Sequence, residues 1–168
     1  MTDEAAIADL LDKERLRDML LVYCRGVDRS DADLMKSLFH DDAIAFGGPA
    51  WEFCDHFIPA NDVDTTFTVH FLGNVLIELR GDQAFSESYF VTYAGRLDGG
   101  TEYIDAFCGR YIDRWERRDG RWGVALRRTV HEWSRADLAG TTPFPIPPSE
   151  DGAFFVPVRT RQDIAFER

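Results

Sequence analysis

No apolar run in this chain is long enough to span a bilayer. Cysteine is scarce, histidine nearly so, and positive charge is in deficit. Each shortage excludes something. Lysine and arginine total 19 against 30 aspartates and glutamates, a formal net charge of -11 at pH 7. That field repels phosphate backbones, so nucleic acid is not an expected partner. The three cysteines, Cys24, Cys54 and Cys108, are odd in number, widely spaced and free of any C-x-x-C pair. A disulfide framework and a zinc site are therefore not expected, and reduced, half-buried thiols are. The histidines are His40, His56, His70 and His131. They form no H-E-x-x-H and no two-histidine, one-carboxylate spacing, so no metal is expected. The glycines of GGP and DGG lack the G-x-G-x-x-G frame, so no phosphate loop is expected. The opening MTDEAAIADLLDKERL is acidic and amphipathic, without the basic and apolar regions of a secretory signal. The expectation is a cytoplasmic protein that does not associate with membranes.

What the chain does have is a globular composition. Hydrophobic residues make up 45% of 168 residues, enough for one domain with a sizeable core. Thirteen phenylalanines and 13% aromatics overall suit either a heavy core or a pocket for a flat apolar ligand. Composition does not choose between them.

Residues 4 to 28 place Ile7, Leu10, Leu11, Leu16, Met19, Leu20, Tyr23 and Val27 at helical spacing, with Gly26 and DRSD closing the helix. A short helix follows, capped by Ser30 or Asp31, with Leu34, Met35, Leu38 and Phe39 as its stripe. HDDAIAFGGP reads as a short strand ended by a turn, and WEFCDHFIPAND as a third short helix stopped near Pro59. Then the period becomes two. Four long alternating segments follow: TTFTVHFLGNVLIELRGD, QAFSESYFVTYAG, TEYIDAFCGRYIDRWERRDG and RWGVALRRTVHEWSR. RGDQ, LDGG and RRDGRW join them, with Asp119-Gly120 at the tip of a tight hairpin. Helices first and an antiparallel meander after predict an α+β fold. A long helix laid across the inner face of a curved sheet makes a cone whose open end is a pocket. The domain is expected to occupy residues 1–140. Residues 141–168, opening with the Pro-rich TTPFPIPP, form an arm expected to pack on the domain or on a neighbouring subunit.

The ordered set of a Tyr and an Asp at the end of the first helix, F-H-D-D-A, H-x-x-x-N in TVHFLGN and G-R-Y-x-D resembles the SnoaL-like group of the nuclear-transport-factor-2-like (NTF2-like) superfamily. The resemblance covers roughly residues 5 to 135. It implies a cone-shaped α+β barrel. It groups the chain with lyases such as scytalone dehydratase, bile-acid dehydratase and hexachlorocyclohexane dehydrochlorinase, several of which are cofactor-free trimers. Isomerases, polyketide cyclases, non-catalytic binding modules and dioxygenase accessory subunits share the fold, so fold alone does not fix activity.

The resemblance also implies site residues. It pairs a His on this strand with an Asp at the end of the first helix: here His70 and Asp28. A carboxylate bonded to one imidazole nitrogen sets the tautomer and raises the basicity of the other. Without the resemblance, His70 reads as a packed strand histidine and Asp28 as a turn residue. Tyr23, five residues before Asp28, is the third catalytic candidate, as a phenol that donates to a leaving oxygen. Its plain reading is a core tyrosine.

Asp105 shares one strand face with Tyr103, Phe107, Gly109 and Tyr111, and is carried over as a relay or substrate anchor. On the last strand Arg128 fits the family position. Arg127 is expected to form a cross-strand ion pair, and His131 is a possible second acid or base. Asn74 and Trp133 are candidate pocket-lining or core residues, the core being the plainer reading. In FHDDA, Asp41 is expected to be a cap or turn carboxylate rather than a metal ligand. The implied activity is a cofactor-independent lyase acting on a bulky aromatic, polyketide-like or steroid-like molecule. It would proceed by dehydration or by deformylating carbon–carbon cleavage. A homotrimer is preferred over a dimer.

Overall fold

Helix α1 (Asp3–Asp28) buries Leu16, Leu20, Tyr23, Cys24 and Val27, the spacing of one helical face, whereas residues 3–11 are all exposed. A computed structural model describes residues 3–61, 64–140 and 159–166 of the chain. Within α1, Gly26 does not end the helix. A Cβ there would lie 2.8 Å from the backbone nitrogen of Met35, so the glycine lets α2 (Ala32–Ser37) pack close. The chain turns at Ser30 in the left-handed region, and Asp31 caps α2 by accepting from Leu34 N–H at 3.1 Å.

Next come β1 (Phe39–Ala45), β2 (Gly48–Pro49) and α3 (Ala50–Asn61), which runs two residues beyond the expected stop at Pro59. Four long strands follow: β3 (Thr65–Arg80), β4 (Gln83–Asp98), β5 (Thr101–Arg118) and β6 (Arg121–Leu138). Asp119 and Gly120 both have positive φ, the turn that a two-residue hairpin requires. The sheet order is β2-β1-β6-β5-β4-β3. The long strands are antiparallel in meander order, as read from the sequence. β1 joins β6 in parallel, which makes the sheet mixed. The architecture is an α+β cone with the helices against the curved sheet.

Of the register shifts in β3 and β6, two decide which of the expected site residues face inward beyond His70 and His131. In β3 the register slips between Leu72 and Val75, and in β6 an extra residue, Glu132, lies between His131 and Trp133. A bulge reverses the alternation beyond it. At the closed end of the cone, Leu16, Leu20, Leu38, Phe39, Trp115 and Val124 are essentially inaccessible. The Pro-rich segment 141–158 lies outside the described residues. Residues 159–166 return to the end of α1. Arg161 pairs with Asp31, Arg29 with Asp163, and Arg25 donates to Ala165 O at 2.7 Å with its guanidinium 4.0 Å over the Phe166 ring.

Candidate active site

Among the described residues β3 is the edge of the sheet, and one side of its backbone has no strand partner there. Asp28, the last residue of α1, fills that side at His70. Its Oδ2 accepts from the His70 backbone N–H at 3.0 Å, and its Oδ1 accepts from ring Nδ1 at 2.6 Å. One carboxylate thus grips the residue at two points and fixes both the position and the tilt of the ring. With Nδ1 donating, the neutral imidazole carries its lone pair on Nε2. The side chains of His70 and Asp28 are 7% and 15% exposed.

His70 lies in the wall of a cavity of about 430 Å³. Aromatic rings dominate the lining: Tyr23, Phe46, Phe53, Phe90, Phe107 and Tyr111, with Phe46 stacked on Phe53 and Phe90 on Tyr111 at 3.8 and 4.4 Å. Polar relief comes from Thr65, Thr68, Thr92, Thr129, His131 and Arg159. Thr92 is the direct cross-strand neighbour of His70, and its hydroxyl is buried without a hydrogen-bond partner among the described residues. A smaller cavity of about 270 Å³ lies behind the pair, lined by Cys24, Arg25, Asp28, Arg29, His70 and Ala165 among others. Asp28 and His70 therefore stand between an apolar chamber and a polar one.

Beneath the chamber floor is a second charge pair. Arg127 donates from Nε and Nη2 to the two carboxylate oxygens of Asp113, both at 2.8 Å, with both side chains fully buried. Its guanidinium sits 4.4 Å from the Tyr23 ring centre and 4.1 Å from that of Tyr111. Burial opposes the charge of Arg127. The pull and hydrogen bonds of Asp113, with the two phenols, outweigh it and leave the guanidinium pKa above its ordinary value. Burial also lifts the Tyr23 phenol well above the usual tyrosine range, with Arg127 offsetting part of the effect. Tyr23 is therefore a proton-bearing hydroxyl at neutral pH.

The structure brings His70, Asp28, Tyr23 and His131 to the chamber or its edge, although His131 stands on β6, three strands from His70. The other four candidates are not among its lining residues. Arg128 pairs in register with Ile112 on the outer face; Arg127 is the inward arginine, and the cross-strand partner expected for it is Asp113. Asn74 falls at the β3 bulge and is exposed, because Val75 takes the inward position that regular alternation would give Asn74. Trp133, beyond the β6 bulge, pairs with Cys108 on the outer face and is 48% exposed. Asp105 does share a face with Phe107 and Tyr111, but Arg96 holds it in an ion pair at 2.7 Å.

His40 is buried and bonded to Glu116 O, and Asp41 accepts from the N–H of Asp42, so FHDDA is a structural turn. Among the described residues, no cluster of three His, Cys, Asp or Glu side chains could hold a metal ion. Likewise, no helix there is long and apolar enough to cross a membrane. The strand period already grouped Phe107 with Tyr111. The threonine lining was legible only with the inward parity known, and nothing in the sequence pointed to Arg159.

The chain is thus an α+β cone of the NTF2-like type that holds an aromatic-lined chamber, with a carboxylate–imidazole pair in its wall. The chain belongs to the SnoaL-like domain family, whose model matches residues 8–128. None of the curated proteins compared with it matches in sequence. Solved structures similar to it include a candidate scytalone dehydratase from Novosphingobium aromaticivorans, at 18% identity and a TM-score of 0.67 over 86% of this chain and 99% of that one. The hexachlorocyclohexane dehydrochlorinase LinA type 2 is similar at 17% identity and 0.69, over 83% and 98%. An NTF2-like superfamily protein from Salmonella enterica serovar Typhimurium is similar at 18% and 0.61, over 77% and 93%. At these identities the likeness speaks for the fold.

Proposed function

We propose that the chain is a cofactor-independent lyase in which His70, oriented by Asp28, abstracts a proton from a bulky, largely apolar substrate. The observation that carries this reading is the two-point grip of Asp28 on His70, a residue that lines the chamber and whose Nδ1 is taken up by the carboxylate. Dehydratase and dehydrochlorinase neighbours of the same fold support it. In a dehydration, Nε2 takes a proton from carbon, the C–H electrons form the new double bond, and the neighbouring C–O bond breaks. Tyr23, kept protonated by burial, donates to the departing oxygen, which leaves as water. The imidazolium then returns a proton to the tyrosinate, and Asp28 stabilises the charged ring in between. In a deformylating cleavage Nε2 takes the proton of a hydroxymethyl group, the O–H electrons form the carbonyl of formaldehyde, and the carbon–carbon bond breaks; its electron pair stays on the remaining carbon, which takes the proton back from the imidazolium.

The chamber suits an aromatic or alicyclic skeleton, because six phenylalanine and tyrosine rings line it and four threonines offer neutral hydrogen bonds. In this reading residues 1–140 are the working domain and residues 141–168 an extension. A purely binding module would leave His70 and Asp28 apart or the cone filled with phenylalanine. Here the two are bonded and the cone is open.

The test is turnover of a panel of β-hydroxy ketones and hydroxymethyl aryl compounds by wild type, His70→Ala and Asp28→Asn. Removal of a general base is expected to cost roughly 10²–10⁴-fold in kcat, with the circular dichroism spectrum unchanged. Wild-type rates in His70→Ala would sink the proposal, as would a wild type that binds members of the panel and turns over none.

A further inference from the structure

Arg159 brings a permanent charge to a chamber otherwise lined by aromatic rings, threonines, small aliphatic residues and two histidines. A guanidinium stays protonated at any working pH. No aspartate or glutamate is among the described lining residues. The rest of the chain runs the other way, with 30 acidic residues against 19 basic ones. The chamber is thus positive where the molecule as a whole is strongly negative.

The position of this cation is built. Its Nη1 donates to Thr65 O at 3.0 Å, at the first residue of β3. The residues that follow it are tied to the end of α1 and the start of α2. Arg161 Nη2 donates to Asp31 Oδ1 at 2.9 Å, and Asp163 pairs with Arg29 at 3.4 Å. Thr65 and His70 both line the chamber from β3. Five residues of strand put the backbone that holds the cation about 16 Å from the backbone of the base. One group therefore marks each end of the chamber.

We infer that Arg159 selects substrates that carry a carboxylate, so that the substrate class is an extended aryl acid of at least two rings. This rests on the lyase reading only where it says substrate; what the chamber binds is independent of turnover. Three physical points favour an acid. The planar fork of a guanidinium matches the two oxygens of a carboxylate. Aromatic walls lower the local dielectric, which strengthens the attraction relative to water. The net charge of -11 disfavours an anion over most of the molecule, so a cation inside the chamber directs it to one place. The separation also suits the chemistry. Proton abstraction builds negative charge at the reacting carbon, and a carboxylate held at the far end opposes that charge least.

The experiment is titration calorimetry with trans-stilbene-4-carboxylate and its methyl ester. Neither has a hydroxyl or a leaving group, so binding is read without turnover. The proteins are wild type, Arg159→Met, Arg159→Lys and Arg135→Met, the last removing an exposed arginine elsewhere on β6. The acid is expected to bind Arg159→Met roughly tenfold or more weaker than wild type, the worth of a charge-assisted hydrogen bond. Arg159→Lys should restore part of the loss, and Arg135→Met should match wild type. The ester should bind all four proteins alike, which also shows that the chamber is intact in each.

Equal affinity of the acid for wild type and Arg159→Met overturns the inference. So does a wild type that binds the ester as tightly as the acid, or that binds neither. A parallel loss of acid and ester in Arg159→Met gives the residue a structural role and overturns it too. The lyase reading falls separately. If the acid preference fails while His70→Ala still loses turnover, the enzyme works on a neutral substrate. If the preference holds and His70→Ala turns over like wild type, the chamber binds acids and His70 is not its base.

Discussion

His70 with Asp28 and Arg127 with Asp113 are the same device in outline: a carboxylate bonded to a nitrogen base, at 2.6 Å in one and 2.8 Å in the other. Their surroundings make them different machines. The first pair stands between two cavities and keeps one ring nitrogen for whatever fills the larger. The second has no exposed side-chain surface at all. An imidazole exchanges protons near neutrality, and a guanidinium does not. The pair that can move a proton faces the chamber, and the pair that can only hold charge lies beneath it, against the phenols of Tyr23 and Tyr111. Hydrogen-bond geometry alone would not separate the two. Position relative to the cavity does.

The strongest way to break the contrast is to remove the buried cation. Arg127→Met leaves Asp113 charged and unpaired in the core, and a loss of about 3–5 kcal/mol is expected. Urea denaturation should show the midpoint falling far. The double variant Arg127→Met/Asp113→Leu should recover much of the loss, since a buried pair replaced by apolar groups often costs little. A single variant as stable as wild type would mean that the pair is hydrated in solution and the contrast is misplaced.

Removing the charge of Asp28 is expected to act in the opposite proportion. Asp28→Asn keeps a side chain of the same size at the end of α1 and loses a charge-assisted bond, for about 1.5–3 kcal/mol of stability at most. Activity should fall much further, by the factor expected for loss of an oriented base. If stability and activity fall together, Asp28 is holding β3 to α1 rather than preparing His70.

The sequence and the structure agree where one element decides the outcome, and part where two must. The second half of the α1 stripe, from Leu16 to Val27, and the Asp119-Gly120 hairpin follow from local chemistry, and of the two caps read for α2 the structure uses Asp31; Ile7, Leu10 and Leu11, read into the same stripe, are exposed because no element packs on the first turns of α1 among the described residues. Pairing His70 with Asp28 came from resemblance, across 42 residues of chain. Alternation placed Asn74 with His70 and Trp133 with His131. Each pair straddles a bulge, so the structure sends Asn74 and Trp133 away from the chamber. A bulge is one residue of extra backbone set by the neighbouring strand, and period-two reading has no access to it. Arg127 and Arg128 differ by one position, and only the register with Asp113 shows which is buried. The parallel pairing of β1 with β6 depends on where α2 delivers the chain, not on β1 itself.

A smaller effect sharpens the chamber side. Thr92→Val removes the unpartnered hydroxyl beside His70 at nearly constant volume. The free protein should be unchanged or more stable by up to about 1 kcal/mol, because a buried hydroxyl without a partner costs free energy. KM for an oxygenated substrate should rise while that for a hydrocarbon analogue stays put. A clear loss of stability would show that the hydroxyl has a structural partner.

The smallest expected effect uses a reporter that stands between the two pairs. Cys24 lines the cavity behind Asp28, and its thiol pKa is pushed up to about 12 by burial, with Arg127 lowering it and Asp28 raising it. Below the ordinary thiol pKa near 9 both folded and unfolded chains keep the proton. Above it the unfolded chain loses a proton that the folded chain retains, so stability falls as pH rises from about 9 toward 12. Asp28→Asn removes one of the causes that raise the folded value, so the fall should end at a lower pH and be smaller in total. Arg127→Met removes a lowering cause and should carry the fall to higher pH and make it larger. Urea midpoints followed from pH 8 to pH 12, each compared with the same protein carrying Cys24→Ser, isolate this contribution from the tyrosines. Opposite changes in the total fall from the two variants would show both charges acting on one thiol from either side. Equal falls in all backgrounds would mean that burial alone governs Cys24.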